Sequence, residues 1–179
     1  MILFAGSWQA AAITSGLIAL ILYPVLSILE KKSWFGKLFV QKKAGEIRKS
    51  MLLLFIMFTV LIAVAWGIFD RPQIAMAAII MWGTGDAAAA MVGIPFGKHK
   101  VHCKLTDGKK SWEGSFAMLF VSFTAGLLVL LISRDTEGTN SLMFAGIGAL
   151  VGTTAELFSP GEYDTVTVPV LILVTLLII

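Results

Sequence analysis

The chain has 179 residues, of which 58% are hydrophobic and 14% are charged, whereas about a quarter of the residues of an ordinary soluble domain are charged. The charges cluster between long apolar runs, which excludes a soluble globular domain. The net charge of +3 comes from loop lysines and does not indicate a nucleic-acid partner, and the single cysteine, Cys103, cannot form an internal disulfide.

Six apolar runs are long enough for transmembrane helices, because a helix needs about 20 mostly apolar residues to cross the hydrocarbon core. The runs are continuous rather than alternating, which favours helices over the strands of a β-barrel. We therefore predict an all-α, polytopic membrane protein with a single domain over residues 1–179. The predicted spans are about 2–28, 51–69, 73–95, 114–132, 141–158 and 164–179.

The basic residues predict how the helices are oriented. Seven of the 14 Lys and Arg residues lie at 31–49 and five lie at 98–110, so both loops are expected in the cytoplasm and both termini outside. The segment at about 31–50 alternates basic and apolar residues. It is predicted to form a short amphipathic helix on the cytoplasmic surface of the cell membrane.

An aspartate, Asp86, stands within the third predicted span. A carboxylate near the centre of a span costs about 3 kcal/mol on insertion scales, and such residues usually face a bundle interior or an aqueous cavity. Small residues flanking it recur along one helical face and would let another helix approach closely. We therefore expect Asp86 at a helix–helix seam. The stripe consists of Gly83, Asp86, Ala90, Gly93 and Gly97.

A second stripe of small residues runs along the fifth predicted span and also ends in a carboxylate. It consists of Ala145, Ala149, Gly152 and Glu156. The spacing places these residues on one face of a helix, so a close helix contact is expected here as well. Gly83, Gly93 and Gly152 are the glycines to which this pattern assigns structural roles.

Acidic residues stand at the same end of four predicted spans. Besides Asp86 and Glu156, Glu113 opens the fourth span and Asp164 opens the sixth. Such carboxylates suit Mg²⁺, which proteins usually hold through one or two carboxylates and the phosphates of a substrate. Simpler roles stay open: Glu113 as a first-turn acid, Glu156 as an interfacial residue and Asp164 as an N-cap.

The loop between the third and fourth spans carries groups that bind phosphate. Lysines lie at both of its ends, and the following helix start offers backbone N–H groups. Alternatively, the lysines only anchor the loop to lipid headgroups. The predicted phosphate-binding residues are Gly97, Lys98, His99, Lys100, Lys109, Lys110, Ser111 and Gly114.

The same loop contains possible zinc ligands in His99, His102 and Cys103. No fourth ligand stands at a spacing typical of zinc sites, so a solvated loop is the simpler interpretation.

Three blocks of the sequence together resemble a known family. They read "WGTGDAAAAMVGIPFGKHK", "KKSWEGSFAM" and "ELFSPGEYDTVTVP". Their order and composition are similar to those of the dolichol kinase, phytol kinase and CTP-dependent diacylglycerol kinase family, over about residues 82–169. Thr165 follows Asp164 where many members have Asn.

The resemblance implies catalytic segments at about 83–114 and 156–169. Its motifs imply that Asp86, Asp164 and Glu113 are catalytic residues and that Asp86, Asp164 and Glu156 hold Mg²⁺ or another divalent cation. Pro169, at the end of the third block, is expected to be structural.

Phosphatidate cytidylyltransferases (CDP-diacylglycerol synthases) are a second, related family. They carry a Lys-Lys-Thr-x-Glu-Gly block, to which the stretch Lys109–Gly114 is similar. Their usual His-Gly-Gly and Asp-Arg elements are absent around Ser159–Asp164, which favours the kinase side.

The sequence thus predicts a lipid alcohol kinase that transfers a phosphoryl group from CTP or another nucleotide to a polyprenol, a phytol-like alcohol or diacylglycerol. The site would face the cytoplasm. Either Asp86 or Asp164 would accept the proton of the lipid hydroxyl. The alternatives are a cytidylyltransferase acting on a lipid phosphate and a small cation transporter, and the small-residue stripes also permit a homodimer.

Overall fold

The chain forms a bundle of helices in the computed structural model, which describes residues 6–29, 46–101, 110–133, 138–159 and 163–179. Every regular element in those ranges is helical, which confirms the predicted all-α class. The helices are α1 (Trp8–Leu29), α2 (Glu46–Ile62), α3 (Pro72–Phe96), α4 (Trp112–Ser133), α5 (Gly138–Phe158) and α6 (Asp164–Ile178).

The helices have the lengths of membrane spans. Five are long and apolar enough to cross a bilayer, and α6 is a shorter apolar helix of 15 residues. Each of the six predicted spans corresponds to one helix, so the prediction of a polytopic membrane protein is confirmed. The predicted amphipathic segment at 31–50 lies outside the described residues up to position 45, and its remainder belongs to α2.

The second helix changes its geometry before it ends. It continues as a π-helical segment, Ala63–Ile68, and the chain then turns through Asp70, whose φ of 53° is left-handed. Gly67 lies under the indole of Trp8, where a Cβ atom would come within 3.1 Å of Trp8 Cδ2. This glycine therefore lets α1 pack closely along the end of α2.

Helix α3 is the centre of the bundle and packs against α2, α4, α5 and α6. Its buried face is built largely from alanines, with Met81 fully buried among residues of the neighbouring helices. Around it lie Leu61 of α2, Leu130 of α4 and Ile172 of α6, all fully buried. Small side chains on α3 allow these neighbours to approach its backbone.

The seam between α3 and α4 follows every fourth residue of α3. A Cβ atom on Gly85 would collide with Ser122 Oγ of α4, and a Cβ atom on Gly93 would lie 3.2 Å from Ser111 Oγ and 3.4 Å from the Cα atom of Gly114. The hydroxyl of Ser122 donates to the carbonyl oxygen of Met81 at 2.8 Å, which fixes the two helices in register.

The predicted stripe on α3 therefore agrees with the structure at Gly93 and Gly97 and differs from it at Gly83. Gly83 is exposed, with no atom within 4 Å of an added Cβ atom, so it has no packing role. Gly85 packs against α4 instead, because Gly85, Ala89 and Gly93 are four residues apart and share one face of α3. Asp86 lies beside the seam rather than inside it, and its side chain is exposed.

The stripe on α5 packs against α6. A Cβ atom on Gly152 would lie 2.7 Å from Ile172 Cδ1, and Ala145 and Ala149 are fully buried in the core. Pro169 of α6 is fully buried as well. These contacts bring the end of α5 and the start of α6 together.

The two glycines near the middle of α3 provide a matched test of the seam. We expect Gly85→Val to lower the melting temperature in detergent by several degrees, because overpacking a close contact costs about 1–3 kcal/mol. Gly83→Val is the control, since it adds the same side chain to the same helix at an open position. Equal losses in the two variants would contradict the assignment.

Candidate functional site

Lys110 joins the ends of three helices. It precedes α4, and its Nζ atom lies 3.0 Å from Glu156 Oε1 at the end of α5 and 3.5 Å from Asp164 Oδ2 at the start of α6. The same ammonium group donates to the backbone carbonyl oxygen of Glu156, close to the C-terminus of α5, where a positive charge is favourable. The side chains of Lys110 and Glu156 are only 13% and 11% exposed, so these contacts are shielded from solvent.

A third carboxylate lies close to this ion-pair cluster. Asp86 of α3 lines the same pocket as Lys110 and Glu156. Because three carboxylates gather around one ammonium group, the cluster carries an excess of negative charge. A further cation would reduce the repulsion among the carboxylates.

The local fold explains why the sequence brings these residues together. The glycine contacts between α3 and α4 place the segment after Asp86 against the start of α4, where Lys110 stands. The Gly152 contact draws Glu156 toward α6. The hydroxyls of Ser159, after α5, and Thr167, in α6, lie 2.8 Å apart and form a hydrogen bond that links the two helices.

A pocket of about 160 Å³ lies beside this cluster. Asp86, Lys110 and Glu156 line it together with Ser111, Gly93 and Gly114. Pockets for whole small-molecule ligands usually measure about 300–1,000 Å³. This pocket therefore suits a phosphate group rather than an entire nucleotide.

The N-terminus of α4 is already supplied with hydrogen-bond acceptors. Ser111 caps the helix by accepting from the N–H of Gly114 at 3.3 Å, and its carbonyl oxygen accepts from the N–H of Ser115 at 3.0 Å. The N–H of Trp112 donates to the carbonyl oxygen of His99 at 3.1 Å. The predicted phosphate contact through these amides is therefore not open in this conformation, and lysine side chains are the better candidates.

Glu113 contacts the loop after α3 and does not pair with Lys110 as Glu156 and Asp164 do. Its Oε1 atom accepts from the backbone N–H groups of Lys98 and His99 at 3.2 and 3.1 Å and lies 2.7 Å from His99 Nδ1. The carboxylate thus fastens the loop that follows α3 to the first turn of α4. This geometry supports a positioning role rather than the predicted catalytic one.

The remaining predicted phosphate residues lie in the same loop. Gly97 is packed against Ser111, and Lys100 pairs with Ser111 through an isolated antiparallel bridge. The side chains of Lys98, His99 and Lys100 are exposed. Lys109, His102 and Cys103 lie outside the described residues.

Comparison with known proteins places the chain in a family. A family model described as the cytidylyltransferase family matches residues 1–177, which is nearly the whole chain. The chain belongs to the cytidylyltransferase family. A phytol kinase from Synechocystis sp. is 33% identical to it over 100 residues, which make up 55% of this chain and 41% of that relative. The match thus spans less than half of the relative, and no solved structure matches the chain.

These matches confirm the resemblance to polyprenol and phytol kinases and their cytidylyltransferase relatives. Because one fold can host several activities, the family match alone does not assign roles to individual side chains. The geometry, and not the family name, assigns the individual side chains.

Two carboxylates of this family member, those of Glu156 and Asp164, lie close to one ammonium group. Glu156 and Asp164 approach the same Lys110 Nζ atom, and Mg²⁺ needs only one or two carboxylates when phosphates complete its shell. Within the described ranges, no group of three or more His, Cys, Asp or Glu side chains is arranged to hold a metal on its own. The donor set therefore fits Mg²⁺ bound together with phosphates and does not fit a closed structural site.

Sequence reasoning missed the ion pairs of Lys110 and assigned its charge to phosphate alone. The signal was present: this lysine directly precedes a span, at the end of the bundle where the acids gather. It also missed Ser115, whose hydroxyl donates to the carbonyl oxygen of Ser111 inside the pocket.

Replacing Lys110 tests whether its ion pairs hold the helix ends together. We expect Lys110→Met to destabilise the protein by about 3–5 kcal/mol, because it leaves shielded carboxylates without a counter-charge. The measurement is thermal unfolding in detergent, with the exposed Lys98→Met as the control. Similar melting temperatures for the two variants would show that the Lys110 ion pairs contribute little.

The loop contacts of Glu113 predict a local effect. Glu113→Gln weakens two hydrogen bonds to a charged acceptor, each worth about 1.5–3 kcal/mol. We therefore expect amide hydrogen exchange at Lys98 and His99 to become at least about tenfold faster, with little change in the core of α3. Unchanged exchange at these two amides would contradict this role.

Proposed function

We propose that the protein is a membrane lipid kinase that transfers the γ-phosphoryl group of a nucleoside triphosphate, with CTP as the expected donor, to the hydroxyl of a lipid alcohol. One observation carries the proposal: at one end of a membrane-spanning bundle, a shielded lysine lines a pocket with Asp86 and Glu156 and also pairs with Asp164. The phytol kinase relative and the family match support it.

Phosphoryl transfer depends mainly on positioning and charge neutralisation. Lys110 would contact the phosphates inside the pocket, and the exposed Lys98 and Lys100 would contact them from the loop. Glu156 and Asp164 would hold Mg²⁺ with the phosphates. When bound, this ion would neutralise charge on the phosphate oxygens.

Asp86 is the best-placed general base. Glu156 and Asp164 both pair with Lys110, whereas Asp86 makes no ion pair within the described part of the chain and has an exposed side chain on the pocket wall. The lipid hydroxyl oxygen would attack the γ-phosphorus as the bond from that phosphorus to the β-bridging oxygen breaks. The hydroxyl proton passes to Asp86, and a nucleoside diphosphate leaves.

The charge pattern supports a cytoplasmic site. Seven basic residues at 31–49 and five at 98–110 would lie on the side where the positive-inside rule places them. The Lys110 cluster is on that same side of the bundle, where a soluble nucleotide and a lipid hydroxyl can meet. The N-terminus would then lie outside.

A cytidylyltransferase acting on phosphatidate is the second candidate, favoured by the description of the matched family. It would release pyrophosphate and form a CDP-lipid. A panel of four nucleoside triphosphates crossed with a polyprenol, phytol, diacylglycerol and phosphatidate separates the two. We expect a lipid phosphate and a nucleoside diphosphate from an alcohol. Pyrophosphate release with phosphatidate, without diphosphate from any alcohol, would establish the transferase.

The base assignment gives a specific mutational prediction. Asp86→Asn should lower kcat on the order of 10²- to 10⁴-fold, the usual contribution of general base catalysis. The melting temperature should change little, because Asp86 is exposed. Asp70→Asn is the control, since it lies before α3 at the other end of the bundle and asparagine tolerates its left-handed φ. Full activity in Asp86→Asn would exclude it as the base.

A further inference from the structure

An apolar groove runs along the outer side of α4 and α5. It measures about 490 Å³, and its walls include Phe116, Phe120 and Phe123 of α4 and Gly146 and Leu150 of α5. Phe116, Phe120 and Leu150 are 64%, 72% and 55% exposed, so the groove opens to the surroundings of the bundle. In a membrane-spanning protein, those surroundings are the hydrocarbon chains of lipids.

The groove leads toward the Lys110 cluster. Helices α4 and α5 are antiparallel neighbours, and Phe123 lies 4.0 Å from the position of a Cβ atom on Gly146. Phe116 precedes Phe123 by seven residues on α4, and Thr153 follows Gly146 by seven residues on α5. Because the helices are antiparallel, Phe116 and Thr153 lie at the same level, about 10 Å closer to the cluster. Thr153 continues the groove-lining stripe of α5, and Glu156 follows it one turn later.

Thr153 differs from other threonines of the bundle. The hydroxyls of Thr84, Thr124 and Thr154 each donate to the carbonyl oxygen four residues earlier, at 2.7–2.8 Å. The side chain of Thr153 is 9% exposed, and its hydroxyl has no hydrogen-bond partner within the described part of the chain. A buried hydroxyl without a partner is costly and calls for a specific explanation, of which a bound ligand is one.

We propose that the α4–α5 groove holds the hydrocarbon chain of the acceptor lipid and that the Thr153 hydroxyl binds the acceptor's hydroxyl next to the carboxylate cluster. This inference rests on the proposed kinase function and adds the acceptor site to it. The apolar walls fit a flexible hydrocarbon chain, and Thr153 lies just beyond the last lining residue of α5, Leu150, on the side toward Glu156. The groove therefore orients the acceptor with its hydroxyl toward the phosphate pocket.

The hydroxyl contact is tested by a pair of neighbouring threonines. Thr153→Val keeps the shape but removes the hydroxyl, and it should raise the KM for a long-chain alcohol about tenfold, the effect of losing a hydrogen bond of ordinary net strength. The KM for the nucleotide and the melting temperature should stay unchanged. Thr153→Ser should restore the wild-type KM, and Thr154→Val, whose hydroxyl is bound to its own helix, should leave it unchanged.

A larger side chain in the groove tests whether the groove binds the hydrocarbon chain of the acceptor. Gly146→Leu should raise the KM for a long-chain alcohol and not for a short, water-soluble one, because only the long chain needs the groove. Gly16→Leu is the matched control on α1, where nothing lies within 4 Å of an added Cβ atom. A change in oligomeric state in Gly146→Leu would instead assign the groove to a second copy of the chain.

Photo-crosslinking separates this inference from the proposed function. A long-chain alcohol with a diazirine on its chain, in detergent micelles and without nucleotide, should label peptides of α4 and α5, and Gly146→Leu should abolish that labelling. Phosphorylation of an alcohol with labelling confined to other helices would overturn the groove assignment alone. No phosphorylation of any alcohol by any nucleotide would overturn the kinase function, and labelling of α4 and α5 would then still establish a lipid site.

Discussion

The ion pairs of Lys110 are the interaction on which the rest of the site depends. This shielded ammonium group binds the end of α5 and the start of α6 to the residue before α4. A single lysine cannot balance Glu156, Asp164 and Asp86 together, so the cluster is set up to accept a further positive charge. In the proposed function, the structural ion pairs and the binding site for a phosphate and its cation would thus use the same atoms.

Close contacts between the helices position the side chains of the cluster. Gly85, Gly93 and Gly114 bring α3 and α4 close enough for Asp86 and Lys110 to line one pocket, and Gly152 does the same for α5 and α6. Glu113 then fixes the loop after α3 to α4 through backbone amides. A membrane protein gains little hydrophobic energy from helix association, so close packing and such polar contacts carry this task.

Much of this could be predicted from the sequence, because it depends on local patterns. Apolar run length predicted the helices, and the acids at the ends of the spans predicted the gathering of Asp86, Glu156 and Asp164 but not the separation of Glu113 from them. The choice between Gly83 and Gly85 could not be predicted, since it depends on Ser122 of the partner helix. The binding of Glu113 to the loop amides depends on packing rather than on any motif. The same holds for the Thr153 hydroxyl, which has no partner among the described residues.

In the proposed function, this arrangement would bring a soluble donor and a lipid acceptor together. The phosphate pocket and the apolar groove approach the end of α5 from two sides, and Glu156 and Thr153 stand one turn apart there. The two substrates would thus meet at a helix end held by Lys110, with the lipid chain remaining among hydrocarbon. Specificity for the acceptor would then come from the groove, and the chemistry from the cluster.

The central claim is that Glu156 and Asp164 hold a divalent cation together with nucleotide phosphates. Electron paramagnetic resonance of Mn²⁺ titrated into the purified protein with a non-hydrolysable CTP analogue measures this directly. We predict nucleotide-dependent Mn²⁺ binding that is lost in Asp164→Asn and in Glu156→Gln and is kept in Glu113→Gln. Mn²⁺ binding that is independent of nucleotide, or unchanged in Asp164→Asn and Glu156→Gln, would contradict the account.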